Sequence, residues 1–149
     1  MELNIYSTVS KPGLSEKKIQ KIVEMVFKNL KKTQSKTSIH FVGSDKMKSL
    51  NKRFRAVKKD TDVLAFTMNE GDKMPIRSGE IGDIFISVPY VRKNAKKFSV
   101  PYKQELSRII VHGLLHLLGF DHQNKKEAEK MFALQEKMVK KIYENKIIN

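Results

Sequence analysis

The chain has 149 residues, 40% of them apolar, and no cysteine. That is enough for one hydrophobic core in a single domain over 1–149, and it excludes a disulfide scaffold. No window of about 18 uninterrupted apolar residues is present to span a membrane. Thirty Lys and Arg against sixteen Asp and Glu leave a net charge of +14. Such a charge points to a polyanionic partner, nucleic acid first, and equally fits a lysine-rich solvated surface.

The start, MELNIYSTVS, has no basic region followed by an apolar core, so no signal peptide is expected and a cytoplasmic protein is the simplest reading. In 3–9, Leu3, Ile5 and Val9 alternate with polar residues and predict a strand. Pro12-Gly13 marks a turn, and Ser15 can cap the helix that carries Ile19, Ile22, Val23, Val26, Phe27 and Leu30 on one face. KTQSKTS reads as a polar loop and 39–42 as a strand ending at Gly43. Ser44 is expected to cap a short helix through Met47, Leu50 and Phe54. A second apolar run of β-type residues follows at 61–67, then a polar loop over 69–80. The most apolar strand is 81–88; Pro89 ends it, and a lysine-rich helix runs to about Phe98. Pro101 opens a helix that reaches Leu118 and stops at Gly119 in a left-handed cap. From Asn124 a last helix carries Ala128, Met131, Gln135, Met138 and Ile142 on one face. The fold class is therefore α+β, a small mixed sheet of about four strands covered by helices.

Residues 112–122 read HGLLHLLGFDH and hold three of the four histidines. The helix around them is apolar nearly all round, which predicts a buried central helix. Burial disfavours imidazolium, so His112 and His116 should be neutral. One turn apart on the same side, they form a chelating pair. A glycine of positive φ at 119 ends the helix and turns the chain back, so that His122 can supply a third nitrogen. The spacing H-x3-H-x2-G-x2-H matches the zincin pattern H-E-x-x-H-x-x-G-x-x-H at both histidine intervals and at the glycine. The glutamate base of those proteases is replaced by Gly113. Three protein ligands leave a fourth position for water or substrate, as in catalytic zinc sites. His40, in a strand with nothing at ligand spacing, is read as structural. Asp121 is expected to orient a ligand, to assist catalysis or to cap the next helix. Glu105, about 10 Å along the helix from His112, is too far to ligate and is expected to hydrogen-bond a neighbouring loop.

The stretch ELSRIIVHGLLHLLGFDH (105–122) resembles the signature of the YbeY family of bacterial endoribonucleases. Leu50-Asn51 with Phe54-Arg55, TDVLAF at 61–66 and Ile81-Gly82-Asp83-Ile84 resemble the family's L-N-x-x-[FY]-R, P-T-D-V-L-S-F and L-G-D-I segments, so the likeness covers roughly 45–125. Departures are Asp60 for the usual Pro, Ala65 for Ser and Phe120 for Tyr; the first two bear on the conformation of 56–66. The resemblance implies a zincin-like fold with one zinc-type ion, nickel being another possibility, held by His112, His116 and His122. It implies that Arg55 serves RNA binding or catalysis. It also implies single-strand-specific cleavage in ribosomal RNA processing, at the 3′ end of 16S rRNA, and in ribosome biogenesis. The partners it implies are ribosomal RNA and the small ribosomal subunit. A guanidinium clamping a phosphate makes chemical sense of Arg55, and Lys52, Arg53, Lys58 and Lys59 would draw in an RNA backbone. Two other readings compete: a zincin-like metalloprotease, and a non-enzymatic ribosome assembly factor braced by its metal.

Overall fold

The computed structural model describes residues 1–68 and 79–149. The reading of 69–80 as a loop therefore falls, for 69–78, outside the described residues. The elements run β1 (Glu2–Ser7), α1 (Glu16–Asn29), β2 (Lys36–Val42), α2 (Ser44–Arg55), β3 (Val63–Thr67), β4 (Glu80–Ser87), α3 (Val88–Lys97), α4 (Tyr102–Leu117) and α5 (Lys125–Glu144). The sheet order is β1-β2-β4-β3, with β1, β2 and β4 parallel and β3 antiparallel at one edge. The expected small mixed sheet is observed.

Alternation along the strands divides the interior in two. Ile39, Phe41, Ile84 and Ile86 join the main core with α1, α3, α4 and α5. Val42, Leu64, Phe66 and Phe85 face the other way and pack with Met47 and Leu50 of α2. Helix α4 is the centre of the helical layer and touches β3, β4, α1, α3 and α5. Its Leu106, Ile110, Leu114 and Leu115 are fully buried, each contributing about 1.5–3 kcal/mol of transfer free energy. Where α4 crosses β4, a Cβ at Gly113 would stand 3.0 Å from Ile84 Cγ2. The absent side chain is what permits this close approach.

Several boundaries move for physical reasons. β2 begins at Lys36 and not at 39, because a strand between β1 and β4 is paired on both sides. Thr37 also donates its hydroxyl to Gly82 O at 2.9 Å. Gly43, not Ser44, is the N-cap of α2; it is extended and makes no side-chain cap bond. Ser15 and Asn124 do cap α1 and α5, accepting from Lys18 N and Glu127 N. Pro101 is the N-cap position of α4, one residue before the helix proper. Among the described residues, no helix is long and apolar enough to cross a membrane.

Candidate metal centre

The end of α4 builds the centre. Gly119 has φ +99°, its N–H donates to His116 O at 3.1 Å, and Phe120 N–H reaches back to Leu115 O at 3.0 Å. This pair of bonds is a Schellman motif, the left-handed cap expected from the glycine. A Cβ there would meet nothing within 4 Å. Gly119→Ala should therefore cost only backbone strain, about 1–2 kcal/mol. Thermal unfolding of the metal-free protein is expected to show a midpoint lower by about 2–8 °C.

The reversal carries His122 back beside the α4 pair. His112 Nε2 and His116 Nε2 lie 3.1 Å apart. One nitrogen from each of the three rings falls within 4.8 Å of the others. An ion with Zn–N bonds of about 2.0–2.1 Å and tetrahedral angles would hold its nitrogens ~3.3 Å apart. The α4 pair is already close to that separation, and His122 stands beside it on an exposed loop. The three histidines could hold a metal ion, and they form the one such cluster among the described residues. Burial lowers the His116 pKa, and the neighbouring His112 and His122 push it the same way against Asp121. Its ring is thus neutral, with a lone pair to give.

A cleft of about 520 Å³ opens over the cluster, lined by the three histidines, Asp121, Phe120, Asp62, the β3 residues Val63–Ala65 and Arg55. Arg55 ends α2, donates to Ala65 O at 3.3 Å, and lays its guanidinium 5.0 Å from the Phe66 ring centroid. Those two contacts place it across the cleft from α4. All four residues singled out by sequence thus line one cavity.

Two secondary expectations are corrected. Asp121 does not cap α5, since Asn124 does; its Oδ1 accepts the His122 N–H at 2.7 Å and so shapes the loop that presents that histidine. Glu105 does not bond a loop; Arg108 donates to it at 3.0 Å from the next turn of the same helix. His40 behaves as a structural residue, stacked between Tyr6 and Phe85 with ring centroids at 4.9 and 4.2 Å.

The residues missed lie on α5. Gln135 Oε1 is 2.7 Å from His112 Nδ1, and the exposed Phe132 ring lies 6.2 and 6.3 Å from the rings of His112 and His122. The available signal was a glutamine in an otherwise apolar stripe between Met131 and Met138. Beside it, the Glu136 carboxyl is held below the usual range by its hydrogen bonds from Arg108, against burial and with help from the Gln135 amide. A carboxyl lowered in the folded state stabilises above its unfolded value, and that contribution is lost as pH falls through the folded one. The difference in thermal midpoint between the protein and Glu136→Gln is therefore expected to be full at neutral pH and to close below about pH 4. Melting curves over a pH series check this.

The chain matches the family model for Endoribonuclease YbeY over residues 4–143. It belongs to the YbeY family. The Endoribonuclease YbeY of Persephonella marina is 37% identical over 132 residues, covering 87% of this chain and 85% of that protein. That of Oenococcus oeni is 35% identical over 127 residues, covering 83% of each. A Thermotoga maritima protein solved in solution superposes with a TM-score of 0.66 at 28% identity, covering 96% of this chain and 90% of that one. Asp60 Oδ1 accepts the Thr61 N–H at 3.0 Å, and Ala65 pairs in register with Ile84.

Proposed function

We propose that the chain is a single-domain, cytoplasmic, zinc-dependent endoribonuclease that cuts single-stranded RNA in ribosomal RNA maturation, at the 3′ end of 16S rRNA. On this reading it acts on the small ribosomal subunit. His112, His116 and His122 hold the ion and Arg55 binds the scissile phosphate. The observation that carries this reading is the lining of one cleft by three clustered imidazoles on one side and a guanidinium on the other.

The bound ion supplies Lewis acidity toward a phosphoryl oxygen. The chain supplies the rest. Arg55 can donate two parallel N–H groups to a phosphate and offset charge developing on it. The Phe66 ring beneath its guanidinium and the Ala65 carbonyl fix the direction in which it points. The charge of +14 draws a polyanion toward the cleft. RNA offers its own 2′-OH as a nucleophile beside water, so the lack of a glutamate at position 113 does not by itself exclude cleavage; either attack still gives up a proton, to a base other than residue 113.

The packing at Gly113 speaks against the protease reading. The residue after the first histidine looks onto Ile84, with three of its side-chain carbons within 3.3 Å of where a Cβ would be. A glutamate there would start its side chain in the sheet contact. A side chain there would need Ile84 to give by a few tenths of an ångström, and the position carries no base.

The test is RNA cleavage by purified protein of measured metal content, with and without chelator. Cleavage of a single-stranded ribosomal RNA segment should stop with chelator and return with added zinc, nickel being the comparison ion. A 2′,3′-cyclic phosphate on the product would assign the attack to the 2′-OH. Cleavage that persists after complete metal removal, or a metal-loaded protein that cuts no RNA and only binds it, would overturn the proposal. The second result would favour the assembly-factor reading.

A further inference from the structure

We infer that Gln135 is a positioning residue that fixes the His112 ring for the metal, and that Glu136 and Arg108 in turn fix Gln135. This rests on the metal centre proposed above.

A carboxamide offers an oxygen on one side and an NH₂ on the other, and the two are told apart by their partners. Gln135 Nε2 donates to Glu136 Oε2 at 3.1 Å. A carboxylate only accepts, so the amide nitrogen must be on that side. Glu136 is kept in its acceptor form by Arg108, whose Nε and Nη2 reach its two oxygens at 2.8 Å each. This fork is the bidentate geometry that gives the strongest neutral-pH pairing of the two groups. The amide oxygen therefore faces His112 Nδ1, 2.7 Å away. An acceptor in that place calls for Nδ1–H. To ligate a metal the ring keeps a single N–H, so with the proton on Nδ1 the bare nitrogen is Nε2. That is the nitrogen 3.1 Å from His116 Nε2.

The far end is anchored as firmly. Arg108 Nη1 donates at 3.0 Å to Glu105, whose side chain is only 7% exposed. Gln135 is itself buried. Glu105 and Arg108 sit on α4, Gln135 and Glu136 on α5. The series Glu105–Arg108–Glu136–Gln135–His112 thus ties the two helices together and ends at the ring it aims. A hydrogen bond from the far nitrogen of a ligating histidine fixes its tautomer and orientation and raises its basicity.

Zinc affinity of the full chain, measured by competition with a chromophoric chelator, tests this. Gln135→Leu keeps the volume and removes the acceptor. It is expected to bind zinc about 10–100-fold more weakly, with the metal-free thermal midpoint lowered modestly by the unpaired His112 Nδ1–H. Gln135→Glu combined with Glu136→Gln returns an acceptor oxygen to His112 without setting two carboxylates together, and should recover most of the affinity, which a packing role would not explain. Glu136→Gln, at a position half open to solvent, lets the neighbouring amide present either end. It should weaken zinc binding by a smaller factor, and in NMR of the metal-free protein it should mix the His112 tautomers, where the parent shows Nδ1–H alone. Parental affinity in Gln135→Leu, a loss not recovered by the Gln135→Glu, Glu136→Gln pair, or an Nε2–H tautomer in the metal-free parent would each overturn the inference and leave the metal centre standing. A parental chain that binds no zinc would overturn both.

Discussion

His116→Ala is expected to strip the protein of its metal and of RNA cleavage while leaving the fold in place. The ring is half-buried at the mouth of the cleft, so its loss opens space to solvent and makes no sealed cavity. Alanine is also the better helix former at an α4 position. The cost falls on the ion. Structural zinc is held by about 10–16 kcal/mol over four ligands, so one imidazole is worth roughly 3 kcal/mol, or about 10²-fold in affinity. Chelator competition should show that loss, and cleavage at limiting zinc should fall to background. The metal-free melting temperature should stay near the parent's. Added zinc should raise the parental midpoint by mass action, and the same zinc concentration should raise that of His116→Ala far less. His116 is the cleaner choice than His112, whose removal would also strand the buried Gln135 carbonyl oxygen. A variant that keeps one zinc per chain and full turnover would remove His116 from the centre.

What could be read from the sequence was whatever is decided within a turn or two of chain. The Ser15 cap, the apolar face of α1 and the Gly119 reversal are local, and each formed as its residues dictate. The histidine cluster was legible for the same reason. Two ligands at i and i+4 and a third after a glycine turn need no long-range contact to meet.

Long-range contacts decided the rest. Lys36, Thr37 and Ser38 look like loop residues until β1 and β4 pair with them from either side. Gln135 meets His112 across 23 residues of chain. Arg108 meets Glu136 across 28 residues, which is why Glu105 was assigned a loop partner it does not have. Gly113 is the most instructive position. In the motif it is a missing base; in the fold it is a point where the central helix packs tightly on the Ile84 side chain of the sheet. One residue satisfies both descriptions, and the packing explains why a side chain is absent there.

Arg55→Ala is expected to separate phosphate chemistry from metal binding. In the sequence Arg55 is one charge in a basic run on α2. In the fold it alone of that run lines the cleft with the histidines, held there by the Ala65 carbonyl and the Phe66 ring. It is not a ligand, so zinc affinity should be unchanged. If its guanidinium meets charge that grows in the transition state, the loss belongs in kcat and should reach about 10³-fold, the low end for an arginine in phosphoryl transfer. RNA binding should weaken modestly, with a salt dependence shallower by about one phosphate contact. Arg55→Lys keeps the charge and loses the planar fork, so it should recover binding more than turnover. Stability should drop by about 1 kcal/mol or more, from the hydrogen bonds to Phe54 O and Ala65 O and from a cation near the helix C-terminus. Single-turnover cleavage with saturating RNA reads the chemical step directly. A variant that cuts at the parental rate there, and loses only affinity, would make Arg55 a tether for the RNA backbone and return the charge stabilisation to the metal and its three imidazoles alone.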